Sequence, residues 1–265
     1  LNVVSIAGAL AAVVFHAPAY LAVGILVGHV GFFFWTITAA VRAGVLRFWF
    51  PRGLEVYRSA GKRFFVRAAP LVALPLLAQA NVIAERIVGS FLGTAVIPCI
   101  DYARFITDTT LALFAVPLGV ATMATYGGLR SSEMIDHVNK VSSHLALVAF
   151  PISAFLACNA ADVVHVLFVR GAFDAVAAST TAQIVRGLGV GLGAMTVSYY
   201  LQMALNAQLR NIESVFTVCL AVAANIAINL LLWRRLGPLA LGLGATAYGI
   251  TQYIAGLLRL DLVPR

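Results

Sequence analysis

The chain reads as an all-α polytopic membrane protein with about eight transmembrane helices, and three observations say so. Hydrophobic residues fill 62% of its 265 positions and charged residues only 11%, where a soluble domain carries about 25% charged residues. Mean hydropathy is +0.95, more apolar surface than a soluble fold of this length could hide. The apolar runs are long and continuous, as membrane helices require; a β-barrel would show short alternating segments instead.

The net charge of +8 would suggest nucleic acid only if its position were ignored. Seven of the eighteen Lys and Arg residues lie between Arg42 and Arg67, beside predicted spans. That placement implies a cytoplasmic segment facing anionic lipids and excludes nucleic acid as a partner. Cys99, Cys158 and Cys219 stand in apolar surroundings without CxxC spacing, so they are expected as small core residues rather than metal ligands or disulfides. The histidines are scattered. With no nucleophile–base pair and no phosphate loop, nothing points to an enzyme. The start at Leu1, inside an apolar run without a charged leader, is not a signal peptide and reads as a chain cut at its N-terminus. The end, Leu262-Val263-Pro264-Arg265, resembles a thrombin-cleavage remnant.

In order, the first span covers about Asn2 to Phe15, closed by the Pro18 turn, and the second Tyr20 to Val41. From Arg42 to Arg67, basic residues alternate with Phe48, Trp49, Phe50, Phe64 and Phe65, the mixture of an interfacial amphipathic segment. The third span, Ala68 to Leu92, carries Pro70 and Pro75 with Gln79, Asn81, Glu85 and Arg86, and is expected to be kinked and to line a cavity. The fourth runs from Val96 to Tyr126. Gly127 to Lys140 is polar and reads as a loop. The fifth span, Val141 to Phe168, is followed by the sixth, Ser179 to Leu205, whose Gly187, Gly189, Gly191 and Gly193 permit close helix approach. The seventh, Ser214 to Trp233, and the eighth, Leu239 to Leu258, complete the set.

Charges inside the third and fourth spans carry the functional signal. Glu85 and Arg86 lie in one; Asp101, Arg104 and Asp108 lie in the other. A charge at a helix centre in lipid costs roughly 2.5 to 3.5 kcal/mol, so such groups pair or face a pathway. Arg104 and Asp108, at i and i+4, are placed to pair on one helical face. Asn225 and Asn229 share the same spacing, suited to interhelical hydrogen bonds or to offering two oxygens to a cation.

Leu167-Phe168-Val169-Arg170-Gly171-Ala172-Phe173 resembles the "LFxRGxF" turn of the MurJ/MviN lipid II flippases, within the multidrug/oligosaccharidyl-lipid/polysaccharide exporter superfamily. Ala84-Glu85-Arg86 with Gly89-Ser90 is similar to that family's acidic-Arg element in its seventh helix. Tyr102-Ala103 followed by Val116-Pro117-Leu118-Gly119 resembles the eighth helix. Asn225-Ile226-Ala227-Ile228-Asn229-Leu230, then Leu236-Gly237 and Leu241-Gly242-Leu243, resemble the eleventh and twelfth. The likeness covers nearly the whole chain, from the family's fifth helix to its twelfth.

The resemblance implies part of a transporter with two six-helix lobes around a central cavity. Residues 1–41 would be the last two helices of the first lobe, 42–67 a basic cytoplasmic linker, 68–258 the second lobe and 259–265 a tail. It implies flipping of a lipid-linked cell-wall precursor, an undecaprenyl-pyrophosphate sugar, across the bacterial inner membrane by alternating access, with the protein a monomer. Arg86, Arg104 and Asp108 would face the substrate. The family often has an Arg one position after Arg104, where this chain has Phe105. Glu85, Asn225, Asn229 and Thr246 match positions that supply oxygen ligands to a coupling Na⁺ in some members. The other readings are a polysaccharide-precursor or drug antiporter of the same superfamily, and a truncated envelope scaffold protein without transport.

Overall fold

The computed structural model describes the backbone of residues 2–17, 19–44, 54–126, 131–171 and 173–262, and their side chains except those of 2, 54–60, 62–68, 71, 123–126 and 131–132. Among the described residues there are nine helices. Six are long and apolar enough to cross a membrane, so the chain is an all-α multi-pass membrane protein. The backbone divides into two compact units, Leu1–Gly61 and Lys62–Arg265.

The first unit holds α1 (Asn2–Val14) and α2 (Ala19–Arg42). They pack through glycine: a methyl group added at Gly8 would lie 2.7 Å from the Gly24 Cα. With no side chain between them the backbones touch, the close approach small residues permit in a membrane. At 13 residues α1 is short for a span, since crossing takes about 20. Residues 45–53 of the basic segment lie outside the described residues. The backbone from Leu54 is already helical, so the helix read as starting near Ala68 begins earlier.

α3 (Leu54–Leu92), which belongs to the second unit from Lys62 onward, runs on through Pro70 and Pro75, and in that unit α4 (Val96–Tyr126) runs on through Pro117. Then come α5 (Ser131–Cys158), α6 (Ala160–Phe168), α7 (Ala175–Ala207), α8 (Asn211–Leu236) and α9 (Pro238–Arg259). The segment 131–140, read as part of a loop, forms the first turns of α5, because Met134, Val138 and Leu145 recur on one face and bury against Val197, Tyr200 and Leu205 of α7. The single fifth span is in fact two helices, broken at Asn159, whose side-chain amide donates to the Phe155 carbonyl at 2.9 Å. The eighth span is present as α9, but Gly, Thr, Tyr and Gln dilute its hydropathy below that of the six long apolar helices.

α7 is the axis of this unit. In its most apolar stretch 72% of residues are buried, against 11% to 33% in the other five long helices. A helix apolar on every side belongs in the interior. Its glycines serve two neighbours. Gly187 and Gly191 meet Gly242 and Thr246 of α9, while Gly189 and Gly193 meet Ala157 and Phe150 of α5. On the α5 side the Ser153 hydroxyl donates to the Gly189 carbonyl and accepts from the Gly193 N–H at 3.0 Å, bridging one turn of α7.

Outward faces carry apolar residues such as Leu113, Phe155, Leu231 and Ile254, as lipid contact demands. Cys99 is buried as expected. Cys158 and Cys219 are exposed rather than core residues, since a small apolar side chain suits a lipid-facing surface equally well.

Candidate functional site

The Leu167–Phe173 turn is a structural element first. Gly171 has φ +61, a conformation that only glycine adopts without strain. Phe168 and Phe173 each place their rings 5.0 Å from that of Tyr102, tying the turn to the start of α4. Asp174 then caps α7, its carboxylate accepting from the Ala177 N–H at 2.7 Å. The turn and α4 enclose a cleft of about 730 Å³ lined by Tyr102, Phe105, Phe168, Arg170 and Phe173.

The polar centre lies deeper in the unit, where α3, α4 and α8 face one another. Glu85 is 5% exposed at its side chain. Its Oε1 accepts from the Asn81 amide at 3.1 Å and the Asn225 amide at 2.7 Å. Its Oε2 accepts from Arg104 Nε at 3.1 Å and also from Arg104 Nη2. Asn81 and Glu85 are one turn apart on α3, as Asn225 and Asn229 are on α8, so two polar ladders meet. The Asn225 amide also donates to Asn81 Oδ1 at 2.8 Å, and Asn229 donates to Asn225 Oδ1 at 2.7 Å. The direction of this chain follows from Glu85. A carboxylate only accepts, so each Asn must turn its NH₂ toward it, and the series ends on Asn229 Oδ1. That oxygen is buried and has no hydrogen-bond partner. It lies against Gly244 of α9, where any side chain would strike both Asn225 and Asn229.

The structure therefore brings together Glu85, Arg104, Asn225 and Asn229. Thr246 is placed elsewhere: its hydroxyl donates to the Gly187 carbonyl of α7 at 2.6 Å. Two residues along a helix turn it by about 200°, so Thr246 and Gly244 address different neighbours. Arg104 does not take Asp108 as its hydrogen-bonding partner; its guanidinium bonds Glu85 across the helix interface. Asp108 is exposed one turn further along α4 and acts on Arg104 through charge alone. Arg86 is half exposed and pairs with Asp101 at 3.0 Å.

Sequence reasoning left Asn81, Asp101 and Tyr248 without a role. Asn81 supplies an amide to Glu85, Asp101 holds Arg86, and Tyr248 of α9 lies close enough to Arg104 and Glu85 to feel both charges. The i, i+4 spacing of Asn81 and Glu85, matching that of the two α8 asparagines, was the available signal.

The two ion pairs differ in weight. Arg86 and Asp101 are 50% and 54% exposed, and such a pair contributes about 0 to 1 kcal/mol. Replacing Arg86 with Ala should therefore shift the thermal unfolding midpoint by no more than about 2 to 4 °C. A larger loss would show that Arg86 does more than make this contact. The Glu85–Arg104 pair is largely desolvated, and breaking it from one side is far more costly.

At the opposite end of the unit, Arg210 joins three elements. Its guanidinium donates to both Glu213 oxygens at 2.7 and 2.6 Å, to Gln208 Oε1 at 3.2 Å and to the Arg259 carbonyl at 2.7 Å. The bonds to Glu213 hold its pKa above the ordinary arginine value, so this clasp stays charged at any working pH. Among the described residues no group of His, Cys, Asp and Glu is arranged to hold a metal ion.

The family model for the lipid II flippase MurJ matches residues 1–261. A curated relative from Rhizobium tropici, "Probable lipid II flippase MurJ", is 25% identical over 192 residues, which is 71% of this chain and 36% of that protein. A solved structure titled "Lipid II flippase MurJ, inward closed conformation" superposes with a TM-score of 0.76 at 18% identity, covering 99% of this chain and 55% of the other. A MOP superfamily transporter from Pyrococcus furiosus, titled for the reverse polarity of its binding pocket, reaches a TM-score of 0.57 at 16% identity over 73% of this chain and 43% of its own. The chain thus spans about a third of the curated relative and about half of the solved one. With the family model matching residues 1–261, the chain belongs to the MurJ lipid II flippase family.

Proposed function

We propose that this chain is part of a lipid flippase, which carries a lipid-linked cell-wall precursor across the bacterial inner membrane. The observation that supports this most strongly is the family match across residues 1–261. The substrate would be an anionic pyrophosphate lipid bearing a bulky sugar head. Transport would proceed by alternating access, one lobe rocking against another.

Of the residues expected at the substrate, Arg86 is the better candidate for the phosphate. Its partner Asp101 is exposed and weakly held, so a doubly charged phosphate can compete for the guanidinium. Arg104 is committed to Glu85 by two bonds and offers the substrate a weaker hold. Asp108, exposed beside it, would repel a phosphate placed too deep. The basic residues between Arg42 and Arg67 would rest on anionic headgroups, and the protein would act as a monomer.

Complementation tests the reading. The intact protein should support growth of a flippase-depleted bacterium, and Arg86→Ala should abolish that rescue at unchanged membrane abundance. Full growth with the variant would remove Arg86 from the substrate path. No rescue by the unaltered protein would remove the flippase reading itself.

A further inference from the structure

Glu85, Asn225 and Asn229 form one cluster, with the residue types that would suit a hard cation: a carboxylate and neutral amide oxygens from two helices. The way they are bonded does not fit one. A carboxylate has about four lone-pair positions. Glu85 receives four donors, two from amides and two from the Arg104 guanidinium. Asn225 and Asn81 turn nitrogen, not oxygen, toward it, and Asn225 Oδ1 is itself occupied by Asn229. The oxygen left over is Asn229 Oδ1, whereas Ca²⁺-like hard cations gather six or more oxygens. Thr246 of α9 bonds the Gly187 carbonyl of α7 instead.

Charge gives the same answer. The carboxylate and the guanidinium already cancel. An added monovalent cation would stand as an unbalanced charge among groups that are almost wholly buried: Asn225 is 0% exposed, Asn229 1% and Glu85 4%. Such a charge is costly unless it finds its own partner.

We propose that Arg104 is a resident counter-ion: its guanidinium fills the place on Glu85 that a coupling cation would take, and the unit holds its folded arrangement without sodium. This rests on reading Glu85, Asn225 and Asn229 as one site, and is independent of which lipid the protein carries. Arg104 acts here as a positioning residue. It holds the Glu85 carboxylate of α3 against α4, and through that carboxylate the Asn225 amide of α8.

The test measures stability, so it is separate from transport. The purified chain is unfolded thermally in detergent with sodium, potassium or choline chloride at one ionic strength. A bound ion at a hundredfold excess over its dissociation constant would raise the midpoint by roughly 5 to 10 °C. The unaltered chain should show the same midpoint in all three salts. Arg104→Gln removes the charge and frees an oxygen of Glu85, so it should gain a sodium-specific, saturable rise. Arg104→Lys keeps the charge and should remain indifferent. A sodium-specific rise in the unaltered chain that Glu85→Gln abolishes would overturn the proposal. So would a folded Arg104→Gln chain that ignores sodium. If that variant does not fold, the comparison of salts on the unaltered chain decides the matter alone.

Discussion

Replacing Glu85 with Ala is expected to destabilise the second unit by about 3 to 5 kcal/mol. The substitution leaves the Arg104 guanidinium without its partner and takes the acceptor away from Asn81 and Asn225. Arg104 is 27% exposed, so water relieves part of the loss and the lower end of the range applies. In a chain of this size that is a fall of roughly 6 to 12 °C in the thermal midpoint. The double variant Glu85→Leu with Arg104→Met should recover the part owed to the unpaired guanidinium, because replacing a buried pair by apolar groups of similar volume is often neutral or stabilising, while the amides of Asn81 and Asn225 stay without their acceptor. Thermal unfolding of both variants in detergent checks this. A single variant as stable as the unaltered chain would mean that the pair is not formed in the protein.

Replacing Gly191 with Leu is expected to be the most disruptive single change on α7. Even a methyl group there would lie 2.6 Å from the Thr246 hydroxyl and 2.8 Å from the Thr246 Cβ. Nothing at that contact is flexible, so α9 must move away as a body. Overpacking a well-filled interior costs about 1 to 3 kcal/mol, and more when backbone must shift. The hydroxyl bond from Thr246 to Gly187 would be lost with it. Monodispersity in detergent and the thermal midpoint should both fall, with Gly191→Ala intermediate. Gly31→Ala in α2 is the control: no atom lies within 4 Å of the added group, and a helical glycine replaced by alanine gains about 0.5 to 1 kcal/mol. Equal damage from both would mean that α7 and α9 do not touch as described.

Most of the fold was legible because lipid imposes one rule: backbone polar groups must be satisfied within the segment, so apolar runs become helices. Where hydropathy and periodicity disagreed, hydropathy misled. Residues 131–140 contain Glu133, Asp136, His137 and Lys140, and their average polarity resembles a loop. Their buried side, Met134 and Val138, continues the stripe to Leu145, and that spacing was readable. The break at Asn159 had no comparable signal, since Asn is tolerated within membrane helices. For the site, the residues were legible but their partners were not. Arg104 has Asp101 and Asp108 three and four residues away on its own helix and Glu85 on α3, and sequence separation favours the near ones. Burial decides otherwise, because Glu85 is shielded from water and Asp108 is not. A shielded carboxylate has more to gain from a cation than a hydrated one does. Thr246 shows the same limit: its residue type fits an ion ligand, but the helix phase turns it to α7.

The alternating glycines of α7 also bear on how the unit moves. Sliding of packed helices needs a layer of side chains that can hop between rotamers. α7 has no such layer toward α9 at Gly187 and Gly191, and little toward α5 at Gly189 and Gly193. At these glycines a neighbouring helix meets bare backbone. The three helices are thus keyed together like cogs without clearance, and they must travel as one block. Strain applied anywhere on that block would be passed on whole, and probes attached to α5 and α9 should keep a constant separation through any movement of the unit.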